Sequence, residues 1–102
     1  MRTEIISTAA SDALARALRT LKEGGIVAFP TDTVYGLGAA VGNDAAIIRL
    51  FEAKGRDFNK AIAVLVESED QAGLVAAKIS PAAKRLLDAH WPGALTVVVE
   101  KR

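Results

Sequence analysis

Residues 29–38 read FPTDTVYGLG and gather two hydroxyls, a carboxylate and a phenol, on Thr31, Asp32, Thr33 and Tyr35, directly behind an apolar run. In extended backbone the side chains of Thr31 and Thr33 share one side and Asp32 takes the other, so the two hydroxyls can grip one polar ligand together. Pro, Thr and Asp also build ordinary side-chain-to-backbone turns, and the spacing alone leaves both readings open. Gly36 and Gly38 permit close approach of the backbone to a ligand. Their spacing matches neither the dinucleotide fingerprint nor the P-loop.

A second group follows: Lys54, Arg56 and Lys60 place three cations within seven residues, offset only by Asp57. Lys54 has a structural explanation, because a helix C-terminus favours cations through its dipole, and cation clusters also occur as plain solvated surface. Arg56 offers more. Its planar fork suits bidentate capture of a carboxylate or phosphate, while the lysines act as point charges for further phosphate oxygens. A small polyanion is the natural guest.

Other chemistries are excluded or weakened by composition. The 102 residues contain no cysteine, which removes thiolate catalysis, disulfides and Cys-based metal sites, and fits a reducing cytosol. His90 is the single imidazole, so a hydrolase triad or a two-His metal cage lacks partners. At the last turn of a helix it reads as a dipole partner or surface residue, and Trp91 beside it as a packing anchor. Thirteen Lys+Arg against 12 Asp+Glu give net +1, too little for a polyanion-seeking tail. Charges scattered through the first thirty residues leave no apolar stretch able to serve as a signal peptide or membrane span.

The elements that must position these groups read as alternating strands and helices. Segments 4–7, 25–30, 61–66 and 95–99 are short, rich in Val and Ile, and bounded by turn formers, as buried strands are. Segment 33–39 is a further strand weakened by its glycines. Leu14, Leu18 and Leu21 mark a helix behind a Ser11 cap, stopped by Gly24 and Gly25. Asn43 caps a second helix with Ile47, Leu50 and Phe51 on its apolar stripe, ending near Lys54 with Gly55 left-handed. Ser68 with Gln71 forms a capping box, and Ser80 precedes Pro81 at the start of a helix that buries Leu86 and Leu87 and breaks at Trp91, Pro92 and Gly93. The expectation is an α/β fold, a twisted mixed sheet flanked by helices, with residues 1–102 forming the N-terminal portion of one domain. The ending on a Val-rich strand points to a truncated chain or half of a larger fold, with completion by dimerisation as the rival.

Three blocks, FPTDTVYGLGA at 29–39, KGRDFNKAIAVLV at 54–66 and WPGALTVVV at 91–99, resemble the YrdC/Sua5/TsaC family of threonylcarbamoyl-AMP synthases. The resemblance implies a YrdC-like fold with a positively lined cavity that joins L-threonine, bicarbonate and ATP into threonylcarbamoyl-AMP and pyrophosphate. It implies that partner proteins carry the group to tRNA, giving t6A beside the anticodon, in the cytoplasm and away from any membrane. By position, Lys54 and Arg56 become catalytic, Lys54, Arg56 and Lys60 hold ATP, Thr31 and Thr33 line the threonine pocket, and Tyr35 and Gly36 shape its wall. Magnesium arrives with ATP, and no protein-bound metal is expected.

Departures from the family pattern carry their own expectations. Arg56-Asp57, Lys60-Ala61 and Gly93-Ala94 stand where the family commonly has a proline second, which relaxes the loops and adds a negative charge at Asp57. The family's Ser-x-Asn motif lies in its second half and is not within residues 1–102, so weaker binding and doubtful activity of this chain alone are expected. Two alternatives belong to other classes: a YrdC-like RNA-binding module, and a carbamoyl-transfer domain of hydrogenase maturation proteins.

Overall fold

The computed structural model describes residues 3–57 and 59–102. Helices and short strands follow in the order α1 (Ala13–Lys22), β1 (Val27–Phe29), β2 (Gly36–Gly38), α2 (Asp44–Lys54), α3 (Glu69–Val75), β3 (Ala76–Lys78), α4 (Pro81–His90) and β4 (Glu100–Lys101). The chain divides into two compact units, Met1–Ala61 and Ile62–Arg102, and each holds its own two-stranded sheet.

In the first unit the leucine spacing yields α1 as expected, but Asp12 rather than Ser11 occupies the N-cap and makes no side-chain cap bond. Leu21 is half-buried while Leu14 and Leu18 stay 74% and 47% exposed, so the apolar stripe of α1 is only partly covered. Segment 4–7 forms no strand. Instead Glu4 meets Arg16 of α1 at 2.5 Å, and Ile5 remains exposed without a ladder partner.

Strands β1 and β2 pair antiparallel, with Val27 opposite Gly38, Ala28 opposite Leu37 and Phe29 opposite Gly36. The strand expected over 33–39 thus forms only over Gly36–Gly38, in its second half. Its glycines are explained by the Phe29 ring: a Cβ on Gly36 would sit 3.0 Å from Phe29 Cε2 and Cζ, and one on Gly38 3.0 Å from Cε1. An aromatic ring laid across bare backbone recovers packing that glycine alone cannot provide.

Helix α2 begins where expected, with Asn43 Oδ1 accepting the Ala46 N–H at 3.0 Å. Ala46 and Leu50 are buried and form the core of this unit, with Ile47 and Phe51 half-buried beside them. Arg49 donates from Nη2 to the Gly24 carbonyl and so ties α2 to the turn after α1.

In the second unit Ser68 Oγ accepts the Gln71 N–H at 3.3 Å, but the reciprocal bond of the expected box shifts by one residue. Gln71 Oε1 takes the Glu67 N–H at 2.6 Å. Ser80 Oγ accepts the Ala83 N–H at 3.1 Å with Pro81 at the first position of α4, as the sequence indicates. Ala72, Ala76, Ala83 and Leu87 are buried, whereas Leu86 is 46% exposed, against the expectation that both leucines face the core.

The α/β class holds, but strict alternation does not, since β1 is followed directly by β2 and α2 by α3, and the pairing differs from a single mixed sheet. Among the described residues both ladders are antiparallel, β1 with β2 and β3 with β4. Strand β3, not expected from sequence, pairs with β4 just beyond the predicted strand 95–99. Segments 61–66 and 95–99 are irregular, with Leu65 77% and Val98 93% exposed. Their strand-like composition has no neighbouring strand here to satisfy it, and pairing rather than propensity makes a strand.

Candidate functional site

The connection between β1 and β2 carries the first group of candidate residues. Thr31 Oγ1 accepts the Thr33 N–H at 3.2 Å, donates to the Val34 carbonyl, and lies 3.4 Å from Thr33 Oγ1. The two hydroxyls are therefore brought together, but by a bent segment in which Thr31 satisfies backbone groups, rather than by an extended strand. Both remain exposed. Thr33 Oγ1, touching only Thr31 among the described groups, keeps capacity for a further partner. Tyr35 is 76% exposed, and Gly36 sits in β2 beneath Phe29, so the approach its missing side chain allows is to that ring.

The second group is built by the end of α2. Gly55 adopts φ 63°, its N–H bonds the Glu52 carbonyl, and the Arg56 N–H bonds the Phe51 carbonyl at 3.0 Å. This is a Schellman ending, and it requires a residue that tolerates the left-handed region. It fixes the direction in which Arg56 leaves the helix. Arg56 Nη2 then donates to the Ala61 carbonyl at 2.9 Å, which closes the loop and leaves its remaining N–H groups for another acceptor. Among the described residues neither Lys54, Arg56 nor Lys60 is in an ion pair, and all three are exposed. With only Asp57 nearby to offset them, the three cations leave this loop locally net positive.

Both groups belong to the first unit, and no hydrogen bond or ion pair joins them among the described residues. His90 ends α4 as an exposed residue of its last turn. Trp91 is half-buried and donates from Nε1 to the Leu95 carbonyl at 3.0 Å, an anchor for the turn after α4. A cleft of about 300 Å³ in the second unit is lined by Glu67, Ser68, Glu69, Leu87, Asp88, Trp91 and Pro92, and contains no residue of either group. Among the described residues no three His, Cys, Asp or Glu side chains gather to hold a metal ion, and no helix is long and apolar enough to cross a membrane.

Sequence reasoning did not find the Arg56–Ala61 closure or the backbone contacts of Asp57, which accepts the Asn59 N–H on Oδ1 at 2.9 Å. The signal for the second was present, since aspartate two residues before a polar residue is a common turn former.

The chain is similar to known proteins. Residues 19–102 match the Sua5/YciO/YrdC family, which carries the description telomere recombination. The threonylcarbamoyl-AMP synthase of Pyrococcus abyssi is 43% identical over 81 residues, covering 79% of this chain and 24% of the relative. That of Bacillus subtilis is 40% identical over 86 residues, covering 84% and 25%. The crystal structure of P. abyssi Sua5 complexed with L-threonine superposes with a TM-score of 0.81 at 41% identity, over 85% of this chain and 26% of that one. The chain thus spans about a quarter of the length of these relatives. With the family match running through most of its length, including the Thr31–Thr33 turn and the Lys54–Lys60 loop, the chain belongs to the Sua5/YciO/YrdC family.

Proposed function

We propose that the chain supplies the nucleotide- and threonine-binding part of a threonylcarbamoyl-AMP synthase, a nucleotidyltransferase of tRNA modification acting in the cytoplasm. The observation that carries this reading is the cationic loop. Lys54 ends α2, and Arg56 and Lys60 follow in the loop after its Schellman ending, with no carboxylate paired to any of the three among the described residues. Relatives named threonylcarbamoyl-AMP synthase, and a solved relative complexed with L-threonine, support the choice of substrates.

The chemistry needs what this loop offers. The amine of L-threonine attacks the carbon of bicarbonate, and loss of water leaves a carbamate. A carbamate oxygen then attacks the α-phosphorus of ATP, a P–O bond forms, and the bond to the β-phosphate bridge breaks to release pyrophosphate. Both partners are anions, so the protein's task is to hold them in contact and screen their repulsion, which electrostatics and positioning achieve without a protein nucleophile. In this reading Arg56 and Lys54 face the reacting phosphate and Lys60 the remaining phosphates. The hydroxyls of Thr31 and Thr33 hold the threonine side, and Tyr35 and Gly36 form the wall of its pocket. Magnesium enters as part of the substrate MgATP, and the product passes to tRNA through partner proteins.

The test is pyrophosphate exchange into ATP by this chain. Dependence on threonine plus bicarbonate supports the reading, while exchange driven by carbamoyl phosphate alone would replace it with carbamoyl transfer. MgATP binding without exchange would confine the chain to the binding role.

A further inference from the structure

The loop after α2 contains a carboxylate that the proposed function leaves without a task. Asp57 lies next to Arg56 in sequence and three positions from Lys60, yet among the described residues it pairs with no cation. Its bonds go to the backbone instead. Oδ1 accepts the Asn59 N–H at 2.9 Å, and its carbonyl accepts the Lys60 N–H at 3.0 Å. The Arg56 guanidinium spans the same stretch to the Ala61 carbonyl at 2.9 Å.

An aspartate that spends its oxygen on the N–H two residues ahead builds a turn without help from proline. A carboxylate that instead paired with its cationic neighbours would neutralise the charge a polyphosphate needs. We propose that Asp57 is a positioning residue: its carboxylate and carbonyl hold the Asn59 and Lys60 amides, so that Arg56 and Lys60 meet an anionic ligand in a fixed arrangement. The inference rests on the reading of that loop as the ATP site.

Two effects of Asp57 on an incoming anion then oppose each other. Its charge repels the ligand, and its turn lowers the ordering cost of the loop. Replacement by asparagine and by alanine removes the same charge, but only asparagine keeps an oxygen able to accept the Asn59 N–H. The comparison of these two variants isolates the turn.

The experiment titrates MgATP into the wild-type chain, Asp57→Asn and Asp57→Ala, and measures solvent exchange of the Asn59 amide by NMR in each. Asp57→Asn is expected to retain the slow exchange of Asn59 and to bind MgATP about twofold more tightly than wild type, through the lost repulsion. Asp57→Ala is expected to exchange the Asn59 amide about fivefold faster and to bind about fivefold more weakly than Asp57→Asn, as loss of one net hydrogen bond would produce. Equal MgATP constants for the two variants, or equal Asn59 exchange in all three proteins, would overturn the inference. If the wild-type chain binds no MgATP, the ATP reading of the loop falls by itself, and Asn59 exchange alone decides whether Asp57 orders it.

Discussion

Arg56 is where the functional reading is most exposed to test. Its backbone is fixed by the Phe51 carbonyl and its guanidinium makes one solvent-exposed bond, to the Ala61 carbonyl. Loss of the side chain is therefore expected to change stability by no more than about 0.5 kcal/mol. The same change, Arg56→Ala, is expected to weaken MgATP binding by about tenfold, since charge-assisted bonds to phosphate are worth roughly 1.5–3 kcal/mol. Parallel calorimetry and thermal denaturation check both halves. Gly36 tests the opposite kind of residue. A methyl group there would sit 3.0 Å from the Phe29 ring. Gly36→Ala should cost about 1 kcal/mol of stability by displacing that ring, seen as a lower urea midpoint. Thr31, Thr33, Lys54, Arg56 and Lys60 could be singled out from residue type and spacing as candidates, with a plain turn and solvated surface left open as the other readings. The bend that joins the two hydroxyls was not, because whether a Thr-Asp-Thr segment stays extended depends on which backbone groups need its oxygens.

The helices were legible because capping chemistry is local: Asn43, Ser68 and Ser80 each accept the N–H three residues on. Asn43→Ala is accordingly expected to cost about 1 kcal/mol, measured by chemical denaturation. Gly55 is the element-scale device that matters for function. Gly55→Ala should destabilise the ending of α2 by about 1 kcal/mol, because its left-handed conformation disfavours a Cβ, and should weaken MgATP binding as the direction of Arg56 becomes less fixed. Strands were less legible. Residues 61–66 and 95–99 have strand composition but find no ladder, whereas β3, an Ala-Ala-Lys segment, becomes one by pairing with β4. A strand is a property of two segments, and single-segment composition does not reveal the second. Lys84 gives a pH-dependent handle on α4. The hydrogen bond that its ammonium donates to Glu69, then the charges of Asp88 and Glu69, raise its pKa above the ordinary lysine value of 10.5. Its stabilising contribution is thus present below that value and is lost as pH rises through the raised one. Urea midpoints should fall on that alkaline flank in wild type, and less so in Lys84→Met. The effect should be small because the group is exposed.

At the scale of the whole molecule, the buried hydrophobic residues among those described are Ala46 and Leu50 in one unit and Ala72, Ala76, Ala83 and Leu87 in the other, a set poor in large side chains. The wide apolar exposure of Ile5, Leu14, Leu65, Leu74 and Val98 accompanies it. Modest stability follows from so little buried area. The α/β class was readable from the mixture of strand-like and helical segments, but the division into two units was not, since it depends on contacts between distant segments. The central claim concerns the first unit: the hydroxyl turn and the cationic loop serve one ligand pair. The most direct measurement is an NMR titration of the isotopically labelled chain with MgATP and then L-threonine, following the backbone amides of residues 31–36 and 54–60. The account predicts that MgATP shifts the amides of Gly55, Arg56 and Lys60, and that threonine added afterwards shifts Thr31 and Thr33 and perturbs the loop again. Saturating shifts confined to one group, or to residues outside both, would contradict it.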